Sequence, residues 1–198
     1  MKKLMLYFLF LIVYNAPQVL AQERNEGVYI NADDYAIGKL CYQSTQGKRY
    51  KLRIHTLINT ATITIISSDT AITLLKNNVY GYRDKNKINY RFYNNIAYEI
   101  ITTHQQHIVL YKTIVLTGNK GAQTMEKYFF STTTNAPIHI LTTQNLKNEF
   151  ATNTWFIAGL DLYFKTDNEL LNYDTFHQQY TLHYVYALTN QLSNQSLK

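Results

Sequence analysis

The chain has 198 residues, of which 46% are hydrophobic, and it carries 19 Lys and Arg against 13 Asp and Glu. The basic residues are scattered along the chain, which argues against a nucleic-acid partner, because such proteins concentrate positive charge on one patch. Cys41 is the single cysteine, so the chain cannot build an internal disulfide framework.

The N-terminus has the composition of a secretory signal peptide. Two lysines follow the initiator methionine, an apolar run covers residues 4–14, and Ala21 is a small residue at a polar boundary. This pattern predicts a signal peptide over residues 1–21 that is cleaved after Ala21. The apolar run is shorter than the roughly 20 residues that a permanent helical span requires. We therefore expect the mature chain, residues 22–198, to be periplasmic or secreted, with no stable membrane span.

The mature chain of 198 − 21 = 177 residues has the size of one domain. A short helix is predicted after Asn31, whose side chain can cap its first turn, and Gly38 is expected to end it. A run of strands is predicted to begin at residues 40–43. Cys41 is expected there as a small buried residue.

Alternation of apolar and polar residues predicts a series of strands in the first two-thirds of the chain. The predicted strands cover residues 50–54, 61–65, 71–75, 79–83, 88–93, 97–102, 108–116 and 128–130. Most connections between them are short, which indicates an antiparallel meander. The widest break is a glycine-flanked turn at residues 118–121, which we expect to be flexible.

The last third of the chain has helical patterns. Thr142 or Thr143 is expected to cap a helix over residues 144–150, and a second helix is predicted over 155–164. Apolar residues repeat on one helical stripe over 173–192, which predicts a final helix. The fold class expected is therefore α+β, with an antiparallel β-meander in the N-terminal two-thirds and helices in the C-terminal third of a single domain.

One hairpin offers the best candidate for a binding surface. Aromatic and basic residues alternate on its two strands, and such a cluster can form a platform for a sugar or a base by stacking and cation–π contacts. The alternative is that the rings form cross-strand pairs that only stabilise the sheet. Because successive residues of a strand point to opposite faces of the sheet, at most half of the cluster can face a ligand. The candidate residues are Tyr80, Tyr82, Arg83, Tyr90, Arg91 and Phe92.

Other groups that could carry chemistry are less complete. His104 and His107 lack the further ligands that zinc requires, so neither a metal nor a cofactor is predicted. Acidic residues near the C-terminal helices could supply a carboxylate pair for glycan hydrolysis, but helix capping is the favoured role. These acidic residues are Asp161, Asp167, Glu169 and Asp174.

A third possibility is a structural role in assembly. Residues 56–75 are β-prone and carry one charged side chain, Asp69, so they could pair edge to edge if exposed. The favoured interpretation is that they form two central strands covered by their neighbours.

Several sequence blocks carry a resemblance to a known group of proteins. The blocks are Gly27-Val28-Tyr29, Asp33-Asp34-Tyr35, Val79 to Asp84, Tyr90 to Asn95, Tyr98-Glu99-Ile100 and Leu171 to Asp174. With these blocks the chain resembles small exported proteins of unknown function from Bacteroidota. The resemblance spans nearly the whole mature chain and implies a Gram-negative envelope setting, without implying a reaction.

Together these features favour a non-enzymatic binding or interaction domain. The expected partner is an unknown protein or glycan of the cell envelope. An envelope glycan hydrolase and a structural assembly subunit are the alternatives from other classes.

Overall fold

A computed structural model describes residues 26–44, 49–54, 60–102, 107–117 and 123–196. The predicted signal peptide, His104 and the predicted turn at residues 118–121 lie outside these residues, as does the beginning of the 56–75 segment.

Within the described residues, the main feature is an antiparallel sheet of seven strands. In sheet order its strands are β1 (Gly27–Tyr29), β5 (Gly81–Arg83), β6 (Asn89–Tyr93), β7 (Ile96–Ile100), β8 (Val109–Thr117), β9 (Gln123–Ser131) and β10 (His139–Ile140). Strands β5 to β10 follow one another in both the chain and the sheet. The predicted antiparallel meander is therefore confirmed, and β1 is added to it beside β5.

Three strands leave the meander and form a small antiparallel sheet. These are β2 (Lys51–Arg53), β3 (Thr62–Ile66) and β4 (Ala71–Leu75), with β3 in the centre. The interpretation of residues 56–75 as two central strands is therefore correct for β3 only. β4 is an edge strand with alternate residues exposed.

Local signals determined the short helices and turns. Helix α1 (Ala32–Ala36) begins where Asn31 Oδ1 accepts a hydrogen bond of 2.8 Å from the Asp34 amide, and Gly38 follows it with φ +69°. A 3₁₀ turn (Lys76–Asn78) leads from β4 toward β5. Both capping predictions for α1 are confirmed, whereas Cys41 forms an isolated bridge to Val28 and is half-buried, not buried.

The C-terminal third is a helical layer. Helix α2 (Thr143–Glu149) is capped by Thr142, and α3 (Thr154–Tyr163) follows it, so both predictions are correct to within a residue or two. A 3₁₀ turn (Asp167–Leu171) and helix α4 (Thr181–Ser196) complete this layer. The α+β class is confirmed.

The predicted final helix forms, but it begins at Thr181 and not at residue 173. Residues 173–180 instead form a hairpin of β11 (Tyr173–Asp174) and β12 (Gln179–Tyr180). The Asp174 carboxylate accepts hydrogen bonds from the Phe176 and His177 amides, which closes the turn, and Gln178 has φ +52°. Asp174 thus stabilises a hairpin turn and not the first turn of α4.

Two layers cover the same face of the seven-stranded sheet, here called the front face. At one end, Ile63 and Ile65 of the small sheet pack on Tyr82 and Phe92. At the other end, α2, α3 and α4 pack on Leu110 and Phe130 of β8 and β9 through buried side chains. The central part of the front face lies between these two layers.

His183 of α4 connects the helical layer to the sheet and gives a pH prediction. Its side chain is buried, its Nε2 donates to the Ile108 carbonyl oxygen at 2.7 Å, and its Nδ1 has no partner among the described residues. Burial lowers the pKa of His183 below 6.5, against the effect of that hydrogen bond. As the pH falls, His183 is therefore protonated in the unfolded state before it is protonated in the folded state. This lowers the free energy of unfolding below about pH 6.5.

Urea denaturation at about pH 7.5 and pH 5.5 checks this expectation. His183→Gln should lose less stability than the wild type over that interval, because its side chain does not titrate. His107→Gln is the control, since His107 is exposed. Equal losses for the wild type and His183→Gln would contradict the assignment.

Candidate functional site

The predicted hairpin forms, but its candidate residues divide between the two faces of the sheet. Tyr82 and Phe92 lie on the front face beneath the small sheet, 4% and 7% exposed. Tyr82 stacks on Tyr90 of the neighbouring strand with ring centroids 4.6 Å apart and planes 6° from parallel. The positions of Tyr82 and Phe92 therefore fit the alternative role, in which the rings form cross-strand pairs that stabilise the sheet.

Arg91 lies on the opposite face, here called the back face, and is 5% exposed. Its Nη1 donates to Tyr111 Oη at 3.1 Å and its Nη2 donates to the Ala136 carbonyl oxygen at 2.8 Å. The Tyr80 and Tyr93 rings lie 5.7 Å from the guanidinium carbon. Arg91 therefore holds the loop after β9 against the back of the sheet.

Two other members of the cluster also lie on the back face. Tyr80 is 8% exposed and stacks on Tyr35. Arg83 is half-buried and donates from Nε to Asn89 Oδ1 at 2.9 Å. A joint platform of all six residues is not formed, because Tyr80, Tyr82, Arg91 and Phe92 are buried and the two with remaining exposure, Tyr90 and Arg83, point to opposite faces.

One accessible part of the front face is a cleft lined by residues of β6 to β9, here called the central cleft. It has a volume of about 150 Å³. Strand register explains its position, because Tyr90 pairs with Glu99 and Glu99 pairs with Lys112 across β6, β7 and β8. Its lining residues are Tyr90, Ala97, Glu99, Lys112, Thr113, Ile114 and Glu126.

An ion network crosses the central cleft. Lys112 Nζ lies 3.4 Å from Glu99 Oε1 and 3.5 Å from Glu126 Oε1. Tyr128 Oη donates to Glu126 Oε2 at 2.9 Å. The hydrogen bond from Tyr128 and the charge of Lys112 lower the pKa of Glu126, so this carboxylate stays ionised.

The ammonium of Lys112 also stays charged. Burial works against its charged form, but the charges of Glu99 and Glu126 outweigh burial and raise the pKa of Lys112. At neutral pH the network therefore contains two carboxylates and one ammonium.

Tyr90 forms the aromatic wall of the central cleft. Tyr82 covers one face of its ring, so the other face is directed along the row of paired residues toward Glu99. Burial, followed by the charges of Glu99 and Asp84, raises the pKa of Tyr90 to about 12. The hydroxyl therefore remains protonated, in a region of negative potential.

The sequence pattern named Tyr90, which lines the central cleft, as a candidate residue but gave no indication of the ion network. Glu99, Lys112 and Glu126 belong to three different strands, and Glu126 has a second charged residue, Lys127, beside it in β9. Only the register of β7, β8 and β9 brings them together. The available signal was one charged residue in each of β7 and β8 and an adjacent pair of charged residues in β9.

The acidic residues near the C-terminal helices each have a local partner. Asp161 pairs with Lys147, and Glu169 accepts a hydrogen bond from the Lys165 amide. Asp167 accepts hydrogen bonds from the amide and hydroxyl of Thr143 at the start of α2, so it caps α2 and not the 3₁₀ turn that follows it in sequence. The favoured capping role therefore describes Asp167, although on a different helix.

No group of three His, Cys, Asp or Glu side chains within the described ranges is arranged to hold a metal ion. In the same ranges, none of the helices is both long and apolar enough to cross a bilayer. No protein-family model matches the chain, and comparison with curated proteins and with solved structures gives no significant match.

Proposed function

We propose that this protein is an exported, non-enzymatic domain of the cell envelope that binds a glycan in the central cleft. The proposal combines the export signal expected at the N-terminus with the chemistry of Tyr90, Glu99, Lys112 and Glu126. The observation that carries it is that Tyr90, stacked on Tyr82, lines the central cleft together with this ion network.

Sugar recognition needs a flat apolar surface and polar groups at its edge. The C–H groups of a pyranose face pack on an aromatic ring, while its hydroxyls donate to carboxylates and accept from ammonium groups. Tyr90 supplies the ring, and Glu99, Lys112 and Glu126 supply the polar groups. The volume of about 150 Å³ suits one residue of a saccharide more than a broad protein epitope.

Binding is favoured over hydrolysis by the state of the carboxylates. A glycosidase needs a carboxylic acid whose pKa is raised, so that it can protonate the leaving oxygen. In the central cleft the pKa of Glu126 is lowered instead, and Glu126 and Glu99 contact the same ammonium. Glu126 therefore supplies a hydrogen-bond acceptor and not a general acid.

A titration of mature protein tests the proposal. The chain is produced in a Gram-negative host with its own N-terminus, and periplasmic protein should have the mass of residues 22–198. Calorimetry then measures binding of soluble tetrasaccharides of glucose, N-acetylglucosamine, glucosamine and galacturonic acid. We expect at least one to bind, and Tyr90→Leu to weaken it by about tenfold, or about 1.4 kcal/mol.

Tyr163→Leu is the matched control, because Tyr163 is an exposed tyrosine in α3 outside the central cleft. It should bind as the wild type does. Absence of binding to all four saccharides, or equal binding by Tyr90→Leu and the wild type, would refute a glycan site in the cleft. Recovery of the uncleaved chain from the cytoplasm would refute export.

A further inference from the structure

We infer that the central cleft selects a glycan with a free primary ammonium group, such as an amino sugar without its N-acetyl group. This inference rests on the proposed glycan function and adds the charge of the ligand. The cation would sit between the Tyr90 ring and the carboxylate of Glu99.

The first argument is the local charge. The complete chain has a formal net charge of +6, yet the two carboxylates and one ammonium of the central cleft sum to −1. The charges of Glu99 and Asp84 contribute to the raised pKa of Tyr90, which places the negative potential at the ring itself. A cationic ligand removes this imbalance, whereas a neutral or anionic ligand does not.

The second argument is the unused hydrogen-bonding capacity of Glu99. Its side chain is only 24% exposed, and the contact with Lys112 Nζ at 3.4 Å is its one ion pair among the described residues. A charge-assisted hydrogen bond between an ammonium and a carboxylate is about 2.7–2.9 Å long. The Lys112 contact is longer than this, so a ligand ammonium could donate to Glu99 at a shorter distance than Lys112 does.

The third argument is the position of Tyr90. Tyr90 and Glu99 are direct cross-strand partners, so a cation placed between them meets an aromatic face on one side and a carboxylate on the other. Cations bind over tyrosine rings within about 6 Å of the centroid. Ala97 and Ile114 complete the lining with apolar surface for the body of the ligand.

The experiment compares the tetramer of glucosamine with that of N-acetylglucosamine, at a pH where the free amine is protonated. The wild type should bind the glucosamine tetramer at least tenfold more tightly. Glu99→Gln should lose this preference, because the amide has no charge. Lys112→Met should strengthen binding of the amine form, because it removes the internal competitor for both carboxylates. Glu149→Gln, outside the cleft, is the control. Circular dichroism confirms that each variant is folded.

Each outcome separates the inference from the function on which it rests. Equal, Tyr90-dependent binding of both tetramers would overturn the charge selection and leave the glycan function intact. Binding of neither tetramer would overturn the charge selection, and absence of binding to all four saccharides would overturn the glycan function as well. A preference for the amine that survives Glu99→Gln, or weaker amine binding by Lys112→Met, would overturn the placement of the cation.

Discussion

Replacing Gly81 with alanine should lower the free energy of unfolding by at least about 3 kcal/mol or prevent folding. A Cβ atom at this position would lie 1.9 Å from the Tyr90 carbonyl oxygen and 3.0 Å from the Arg91 Cα. Both contacts are with the backbone of β6, which cannot move aside as a flexible side chain could. β5 and β6 would have to separate, and the Tyr82–Tyr90 stack beside the central cleft would be lost with them. Urea denaturation followed by circular dichroism measures the effect.

Gly38→Ala is the matched control for this experiment. Gly38 has φ +69°, but no heavy atom lies within 4 Å of a Cβ built on it. Only the left-handed backbone opposes the substitution, so the expected cost is about 1–2 kcal/mol. Similar losses in Gly81→Ala and Gly38→Ala would contradict the close approach of β5 and β6.

Replacing Arg91 with methionine should cost about 3 kcal/mol of stability. The substitution keeps much of the apolar stem, but it removes the hydrogen bonds to Tyr111 Oη and the Ala136 carbonyl oxygen. Both acceptors lie in or beside the buried back face, where an unsatisfied polar group costs about 1–3 kcal/mol. The loop that follows β9 would then lose its attachment to the sheet. Denaturation in urea measures the stability, and proteolysis monitors the loop.

Arg83→Met provides the comparison on the same face of the same hairpin. Arg83 is half-buried and its Nε donates to Asn89 Oδ1, so the expected loss is about 1 kcal/mol or less. Arg91→Lys should keep only a small part of the stability that Arg91→Met loses, because one ammonium cannot donate to both acceptors as the guanidinium does. A loss for Arg91→Met no larger than that for Arg83→Met would show that the buried network adds no stability.

Features that depend on near neighbours in the chain were predictable. The cap at Asn31 needs only the Asp34 amide three residues later, and Thr142 caps α2 through the Asn145 amide in the same way. The Asn94–Asn95 turn between β6 and β7 is equally local, with φ of 48° and 64° at its two residues. A capping or turn residue acts within one turn of backbone, so its effect can be predicted from the few residues that surround it in the sequence.

Features that depend on packing were not predictable. A strand pattern does not specify which sheet a strand joins, so the separation of β2, β3 and β4 from the meander became visible only in the fold. Alternation correctly predicts that Tyr90 and Phe92 share one face, but its prediction that Tyr80 and Tyr82 share a face is wrong, because Tyr80 packs with Tyr35 and Arg91 on the back face. It could not indicate that the small sheet covers Tyr82, while Tyr90 stays at the border of the cleft. The apolar pattern over residues 173–192 predicted one helix, but its first eight residues form a hairpin because the Asp174 carboxylate closes a turn there.

The amino-acid sequence by itself determined the α+β class, the order of the meander and the ends of the first helices, because these follow from periodicity and from hydrogen bonds between near neighbours. Only the tertiary structure decided which aromatic residues are covered and that Glu99, Lys112 and Glu126 meet beside Tyr90. The physical reason is that strand register and the packing of layers join residues far apart in the chain, and the choice among such pairings depends on the burial of the whole domain.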